Sequence, residues 1–338
     1  MRLLCVSDIH NNLSAVAKLR ASETNRFDAV LVAGDIGAER AADTLGMLAS
    51  FGCPVLYVYG NWDSTLAYDA DFGPTCRHLH LSPFRCGPLS VVGFSGCPTH
   101  WGLNPIKASL DQRLWEAHRP ILDALAAARD GFKRHAREVA AAHRHAIIDA
   151  GSAGSKRQAK LDRLRRNRDR ELALLRQDVA EVEGSAAFAA YKDDLRAMSK
   201  QALALNRAAL AKALAEASIA ARETIVVTHE RLSDTRRDLS GVPLFLYGHK
   251  HRFADTAFQG ARFIDVAALD LRVLIQPKGR PCERTKRRNL NLGNYVVLTW
   301  KAGAGFIVDC VRFDPGAEWR RDWEIVEGGD DPRAPELL

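Results

Sequence analysis

Eight residues able to bind metal or move protons stand in five short clusters: Asp8 with His10, Asp35, Asn61 with Asp63, His229, and His249 with His251. Each cluster directly follows an apolar run ending in Ser, Gly or Thr. One such residue at a strand end is usually structural. Five clusters are different, because the carboxyl ends of strands in an open α/β sheet line one crevice where ligands bind. Residues i and i+2 of an extended segment lie on the same side. Asp8-Ile-His10 and His249-Lys-His251 are therefore two chelating pairs. Imidazole and carboxylate together suit Mn, Fe, Zn or Ni better than Ca alone. Gly34, Gly60 and Gly248 stand just before candidate ligands, where tight backbone bends need no Cβ.

The elements that position these clusters are legible as two kinds of sequence. Runs at 3–6, 29–33, 55–59 and 89–94 are short and rich in Val and Leu, as buried strands are. Amphipathic stretches at 13–21 and 41–50 predict helices between them, the second stopped by Gly52. This βαβαβ order predicts a layered α/β domain over residues 1–104. Strand character resumes over 223–313, with runs at 224–228, 244–247, 262–266, 295–300 and 306–313. Residues 105–222 differ: 31 of these 118 residues are Ala, and Gly and Pro are rare. That composition predicts long helices. One runs to about residue 150, straight or kinked at Pro120. After a turn at 151–155, a second stretch returns from about 156, with a break near Gly184. Some 40 helical residues span ~60 Å, so this segment is an arm or cap inserted into one domain. Leu110, Leu114, Ile121, Leu122, Leu125 and Phe132 form one apolar stripe; Leu161, Leu164, Leu172 and Leu175 form another. They predict a seam between antiparallel helices, and a self-association or partner surface has the same pattern. Residues 314–338 read as a charged peripheral tail.

Of the 338 residues, 47% are hydrophobic, 26% charged and 7% aromatic, which excludes wholesale disorder. No run approaches the ~18 apolar residues of a transmembrane helix. The opening residues carry no secretion-signal pattern. The seven cysteines are odd in number and include no CxxC pair, which argues against a disulfide framework or a thiolate zinc site. A reducing, cytoplasmic location is the expectation. The net charge of +7 is concentrated in the arm, where 23 basic residues face 15 acidic ones; elsewhere the balance is 25 to 26. Lys156, Arg157, Lys160, Arg163, Arg165, Arg166, Arg168 and Arg170 cluster with only Asp162 and Asp169 among them. Such a cluster can grip a nucleic-acid backbone, which Lys and Arg bind at no fixed spacing. A solvated helix surface looks the same. A second basic cluster lies at 278–288. His118, His135, His143 and His145 read as surface residues of the arm.

In chain order, Asp8-Ile-His10, Gly34-Asp35, Gly60-Asn61-Trp62-Asp63, His229 and Gly248-His249-Lys250-His251 match a five-block pattern. It is D-x-H, G-D, G-N-H-D/E, H and G-H-x-H, that of the calcineurin-like metallophosphoesterases. The sequence resembles this family over about 1–104 and 223–313, outside the arm. Asp8-Ile-His10-Asn11-Asn12 is similar to the D-x-H-G-N start of its small bacterial and archaeal members, with Asn11 where Gly is usual. The resemblance implies a β-sandwich flanked by helices and two divalent metal ions, with Mn expected and Fe, Zn, Ni or Mg as alternatives. It assigns Asp8, His10 and His251 to one ion, Asn61, His229 and His249 to the other, and Asp35 between them. A shared hydroxide would attack phosphorus in line, with Asp35, Asn61 and His229 in the catalytic centre.

One block departs from the pattern. Trp62 stands where the family usually has a His that contacts the phosphoryl group or assists the leaving group. Indole is a hydrogen-bond donor only. Asp63, which usually orients that His, loses its usual task, and His100 is a candidate substitute acid because its loop, 96–102, follows a strand. The expectation is a dinuclear-metal phosphodiesterase acting on nucleic acid or a nucleotide. Three alternatives share the residues: a small-molecule phosphodiesterase with the arm as cap, a lipid-linked pyrophosphatase, and a partner-binding scaffold with a vestigial site.

Overall fold

The structure, a computed structural model, describes residues 1–96, 105–148, 155–232, 239–258, 260–270 and 293–312. His100, Cys97, Cys282, the turn at 151–154, the 278–288 cluster and the 314–338 tail lie outside the described residues. The chain divides into two compact units, one of Met1–Ala108 with Ala202–Leu338 and one of Ser109–Gln201.

The first unit contains two six-stranded sheets. The strands of the first sheet are β1 (Arg2–Val6), β2 (Ala29–Ala33), β3 (Val55–Val58) and β4 (Cys76–His78), with β11 (Asn294–Lys301) and β12 (Gly305–Arg312) from the far end of the chain. The second is built from β5 (Phe84–Cys86), β6 (Leu89–Phe94), β7 (Thr224–Thr228), β8 (Leu244–Tyr247), β9 (Phe253–Phe258) and β10 (Ala261–Val266). The strand orders are β12-β11-β1-β2-β3-β4 and β5-β6-β7-β8-β10-β9. β1, β2, β3 and β4 run parallel, as do β6, β7, β8 and β10, so their carboxyl ends gather on one edge of each sheet.

Alternate residues of these strands serve different layers. Leu3, Cys5, Leu31 and Val58 meet Val91, Ile225, Val227, Leu246 and Ile264 between the sheets. Leu4, Val6, Val30, Val32 and Tyr57 face outward onto helices α1 (Leu13–Ser22) and α2 (Ala41–Ala49) through Val16, Leu19, Leu45 and Leu48. On the other outer face, Val92, Val226, Phe245 and Phe263 pack with Leu210 and Leu214. Burial on both faces explains why the strands read as unbroken apolar runs. Each fully buried Leu or Val contributes about 1.5–3 kcal/mol, which pins the strand ends that carry the chemistry.

The helical insertion consists of α3 (Pro105–Ile148), α4 (Ser155–Gly184) and α5 (Ala186–Glu216). α3 continues through Pro120, and Ser185 separates α4 from α5. Contacts run in opposite chain directions: Arg176 lies over the Phe132 ring, Arg129 bonds Glu183 at 2.9 Å, and His118 bonds Asp194 at 2.8 Å. α3 is thus antiparallel to the α4–α5 return. His118 is a correction to the surface reading, since its side chain is only 14% exposed and bridges two helices. Among the described residues, no helix is long and apolar enough to cross a membrane.

Candidate metal centre

The five clusters leave their strands at one place. After β1, the Asp8 N–H donates to the Gly34 carbonyl and the His10 N–H to that of Asp35. The loops after β1 and β2 are therefore laced together. Asp8, His10, Asp35, His249 and His251 all have left-handed backbone, with φ between 50° and 72°. Few non-glycine residues adopt this region, and each instance costs on the order of 1–3 kcal/mol. Asn11, at φ 62°, is also left-handed. Its amide is the side chain that best tolerates a position where Gly would be at ease.

Gly60 and Gly248 are needed for space rather than for a bend. Neither has positive φ. A Cβ at Gly60 would overlap Asp35 Oδ1, and one at Gly248 would overlap Ser7 Oγ and Asp8 Oδ2. The tight-bend expectation applies only to Gly34, at φ 86°.

Asp8, His10, Asp35 and His251 form one group, with a ligand atom from each lying within 4.8 Å of the others. His10 Nε2 lies 3.3 Å from Asp35 Oδ2, and His251 Nε2 lies 3.1 Å from Asp8 Oδ1. Asn61, His229 and His249 form the second group. Asn61 Oδ1 is 3.1 Å from His229 Nε2 and 3.2 Å from His249 Nδ1, and the two nitrogens are 3.3 Å apart. Asp35 belongs to both groups, because its Oδ1 lies 3.3 Å from His229 Nε2. Donor atoms held about 2.1 Å from one ion sit roughly 3.0–3.4 Å from each other, so the second group has the spacing of a ligand shell.

Further residues hold these ligands. His229 Nδ1 lies 2.9 Å from the Ala33 carbonyl, which leaves Nε2 facing the cluster. His10 Nδ1 lies 3.5 Å from Asp270 Oδ2, while Asp270 Oδ1 accepts from Asn12 Nδ2 at 2.5 Å. Asn12 Oδ1 also caps α1 by accepting from the Ala15 N–H. The Ala267 N–H donates to Asp265 Oδ1, closing a turn after β10 that carries Asp270 to the Asp8 carbonyl. Asp63 is given a new task. Its carboxylate accepts from the N–H groups of Ile36, Gly37 and Gly60, tying the β2 and β3 loops. Trp62 donates its backbone N–H to Asp35 Oδ1 at 2.8 Å, and its ring lies 4.6 Å from that of His10.

The electrostatics call for a cation. Asp8, Asp35, Asp63 and Asp270 are all at most 4% exposed, and among the described residues Asp8 and Asp35 pair with histidines alone. Burial disfavours charge on His10 and His229. Hydrogen bonds to Asp270 and Asp35 outweigh it at His10, and the charge of Asp35 outweighs it at His229, so both are raised to about 10. Burial works against ionisation of Asp35 too, yet His229 and His10 hold its carboxyl well below the usual range. Asp63 is pushed up to about 6 by burial and the Asp35 charge, against the N–H bonds of Gly60 and Gly37. Buried carboxylates that must recruit imidazolium partners are the donor set that a divalent ion neutralises, and the residues fit such an ion.

The structure brings together all seven candidate ligands. The basic cluster at 156–170 is in the other unit, on α4. Lys160, Arg163, Arg166 and Arg170 are exposed. Arg165 and Arg168 pair with Asp162 and Asp169. Lys156 and Arg157 fall in the first turn of α4.

The family model of the calcineurin-like phosphoesterase superfamily domain matches residues 1–174, just over half of the chain. The chain belongs to this superfamily. As a member it is a metal-dependent phosphoric ester hydrolase. The match contains Asp8, His10, Asp35 and Asn61; His229, His249 and His251 lie beyond it and join them in space. A predicted phosphoesterase from Streptococcus pneumoniae is similar at 12% identity and TM-score 0.34, over 93% of each chain. The phosphopantetheinyl hydrolase of Mycobacterium tuberculosis is similar at 13% and 0.31, over 79% of this chain and 88% of its own. A Vps29 mutant from Entamoeba histolytica is similar at 10% and 0.31, over 93% and 100%. No curated protein matches the chain.

Proposed function

We propose that this hydrolase is a cytoplasmic dinuclear phosphodiesterase whose substrates are nucleic-acid or nucleotide phosphodiesters. The observation that carries the reading is the position of Asp35. One of its oxygens faces His10 and the other faces His229, so a single carboxylate serves two donor groups. Asp8, His10 and His251 would hold one ion, and Asn61, His229 and His249 the other. Mn suits this imidazole, amide and carboxylate set, with Fe, Zn, Ni and Mg as alternatives. When bound, such ions neutralise phosphoryl oxygens and lower the pKa of a bound water.

The chain's own residues do the rest. Asp35 supplies the negative charge that lets two cations sit close together. Ala33 and Asp270 fix the ring orientations of His229 and His10, which keeps their outer nitrogens aimed at the ions. Asp63 and the Trp62 N–H hold the Asn61 loop against Asp35. Lys160, Arg163, Arg166 and Arg170 fall within about a third of the α4 circumference. None of the four has an ion-pair partner among the described residues. That open row of cations supports a polymeric phosphodiester over a small one, with Lys156, Arg157, Arg165 and Arg168 adding to the field.

The test uses full-length protein, metal-stripped and reloaded with Mn. The substrates are an aryl phosphomonoester, an aryl phosphodiester, cyclic nucleotides, and single- and double-stranded DNA and RNA. Asp35→Ala is expected to lose about 10³-fold in kcat and to retain less metal. Reversing Arg163, Arg166 and Arg170 to Glu is expected to abolish nucleic-acid cleavage and leave the aryl diester untouched. Full activity in Asp35→Ala would overturn the metal-centre reading. Nucleic-acid cleavage that ignores the charge reversal would overturn the polymer reading.

A further inference from the structure

Trp62 differs from the rest of its cluster in exposure. Asp8, His10, Asp35, Asp63 and His229 are each at most 6% exposed, whereas Trp62 is 37% exposed. Its indole lies against the His10 imidazole, with ring centroids 4.6 Å apart and planes tilted by 49°. The ring thus touches a candidate ligand while much of the residue faces solvent. A large aromatic left this open forgoes part of its favourable burial.

The ring also stands on a fixed base. The Trp62 N–H is bonded to Asp35 Oδ1, and Asp63 holds both the preceding Gly60 and the neighbouring Ile36–Gly37 loop. Indole has few rotatable bonds and its backbone is already ordered, so a ligand stacking on it loses little to ordering. An aromatic face accepts any planar ring and does not discriminate among bases. The same face offers little to an aliphatic or purely polar substituent.

We propose that Trp62 is a stacking platform for a planar ring on the substrate, a nucleobase or aryl group joined to the reacting phosphate. This rests on the reading that phosphate esters bind at the metal centre, and it narrows those esters to ones carrying a ring. Trp62 is here a specificity-determining residue that selects for a ring, not for one base over another.

Calorimetric titration of the Mn-loaded full chain with adenosine 5′-monophosphate and with ribose 5-phosphate tests this. The two share a phosphate and sugar and differ by the base. The wild type is expected to bind the nucleotide roughly 5- to 150-fold more tightly, the range of one base–aromatic stack. Trp62→Ala is expected to erase that preference while binding ribose 5-phosphate as before; Trp62→Phe is expected to keep most of it. Trp62→Leu makes the same comparison with more bulk, should the Ala variant be unstable. Equal binding by the wild type, or a preference that survives Trp62→Ala and Trp62→Leu, overturns the platform. In that event, ribose 5-phosphate binding that Asp35→Ala abolishes leaves the metal-centre reading standing. A wild type that binds neither phosphate and hydrolyses no ester overturns both.

Discussion

The metal centre and the helical arm hold their charges in opposite ways. Around Asp35 each carboxylate is buried and meets two or more polar partners, and the backbone is bent into left-handed conformations to bring them together. In the arm most charges lie at the surface. Arg129 and Glu183 meet at 2.9 Å with 54% and 41% of their side chains exposed. An exposed pair of this kind is worth about 0.2–1 kcal/mol and is screened by salt. A buried carboxylate left without its partner costs several times more. The difference teaches that single residues decide what happens in the core unit, while in the arm only the summed charge of a surface does.

Acid should break the core unit first. His80 is buried and His78 half-buried against Tyr57, Tyr59 and Tyr68, and desolvation lowers their pKa values to about 3 and about 4. The unfolded chain takes up protons near 6.5, whereas the folded chain cannot until much lower pH. Neither ring affects stability above pH 6.5. Below it, each removes up to about 1.4 kcal/mol per pH unit until its folded pKa is reached. Urea midpoints from pH 7.5 to 4 are expected to fall, and His78→Gln with His80→Gln to flatten the slope.

One substitution made in both units sharpens the contrast through its sign. Gly248→Ala drives a methyl into Ser7 and Asp8 and is expected to lower stability by roughly 3 kcal/mol. Gly131→Ala, in α3, has nothing within 4 Å and is expected to add roughly 0.5–1 kcal/mol. Thermal melts read both. A smaller effect separates ligand support from folding: Asp270→Asn is expected to weaken metal binding by roughly 10- to 100-fold, read by competition with a chelating dye, with little change in melting temperature. The smallest belongs to the arm. Arg129→Ala should cost under about 1 kcal/mol, and even that should vanish in high salt.

The convergence of the seven candidate ligands was legible because each stands where an apolar run stops. The supporting groups were not, for two physical reasons. Asp270 also ends an apolar run, but Asp265 interrupts it, and its place depends on the turn that Asp265 closes. That ending, Val-Ala-Ala-Leu-Asp, is the signal that would have found it. His78 ends β4 and His80 follows it, and that strand is only three residues long, too short to show a period. β5 and β9 were missed likewise, the first for its length and the second because Phe253–Phe258 is largely exposed and its apolar residues are interrupted by Asp255 and Thr256. The role of Gly60 and Gly248 depends on which side chains approach them, information that no local pattern contains. Asp63 illustrates the same limit: the resemblance left it without its usual task, whereas it staples three backbone amides.

The left-handed backbone at Asp8, His10, Asp35, His249 and His251 also limits how this lineage can change. Most replacements at those positions carry a steric penalty before any question of lost chemistry arises. A descendant that gave up its metals would drift first toward Asn and Gly there, the residues at ease in that conformation. Asn61 and His229, whose backbones are ordinary, would wander more widely. Decay of the site would thus leave a recognisable trail of amides and glycines, marking where ions had once been held.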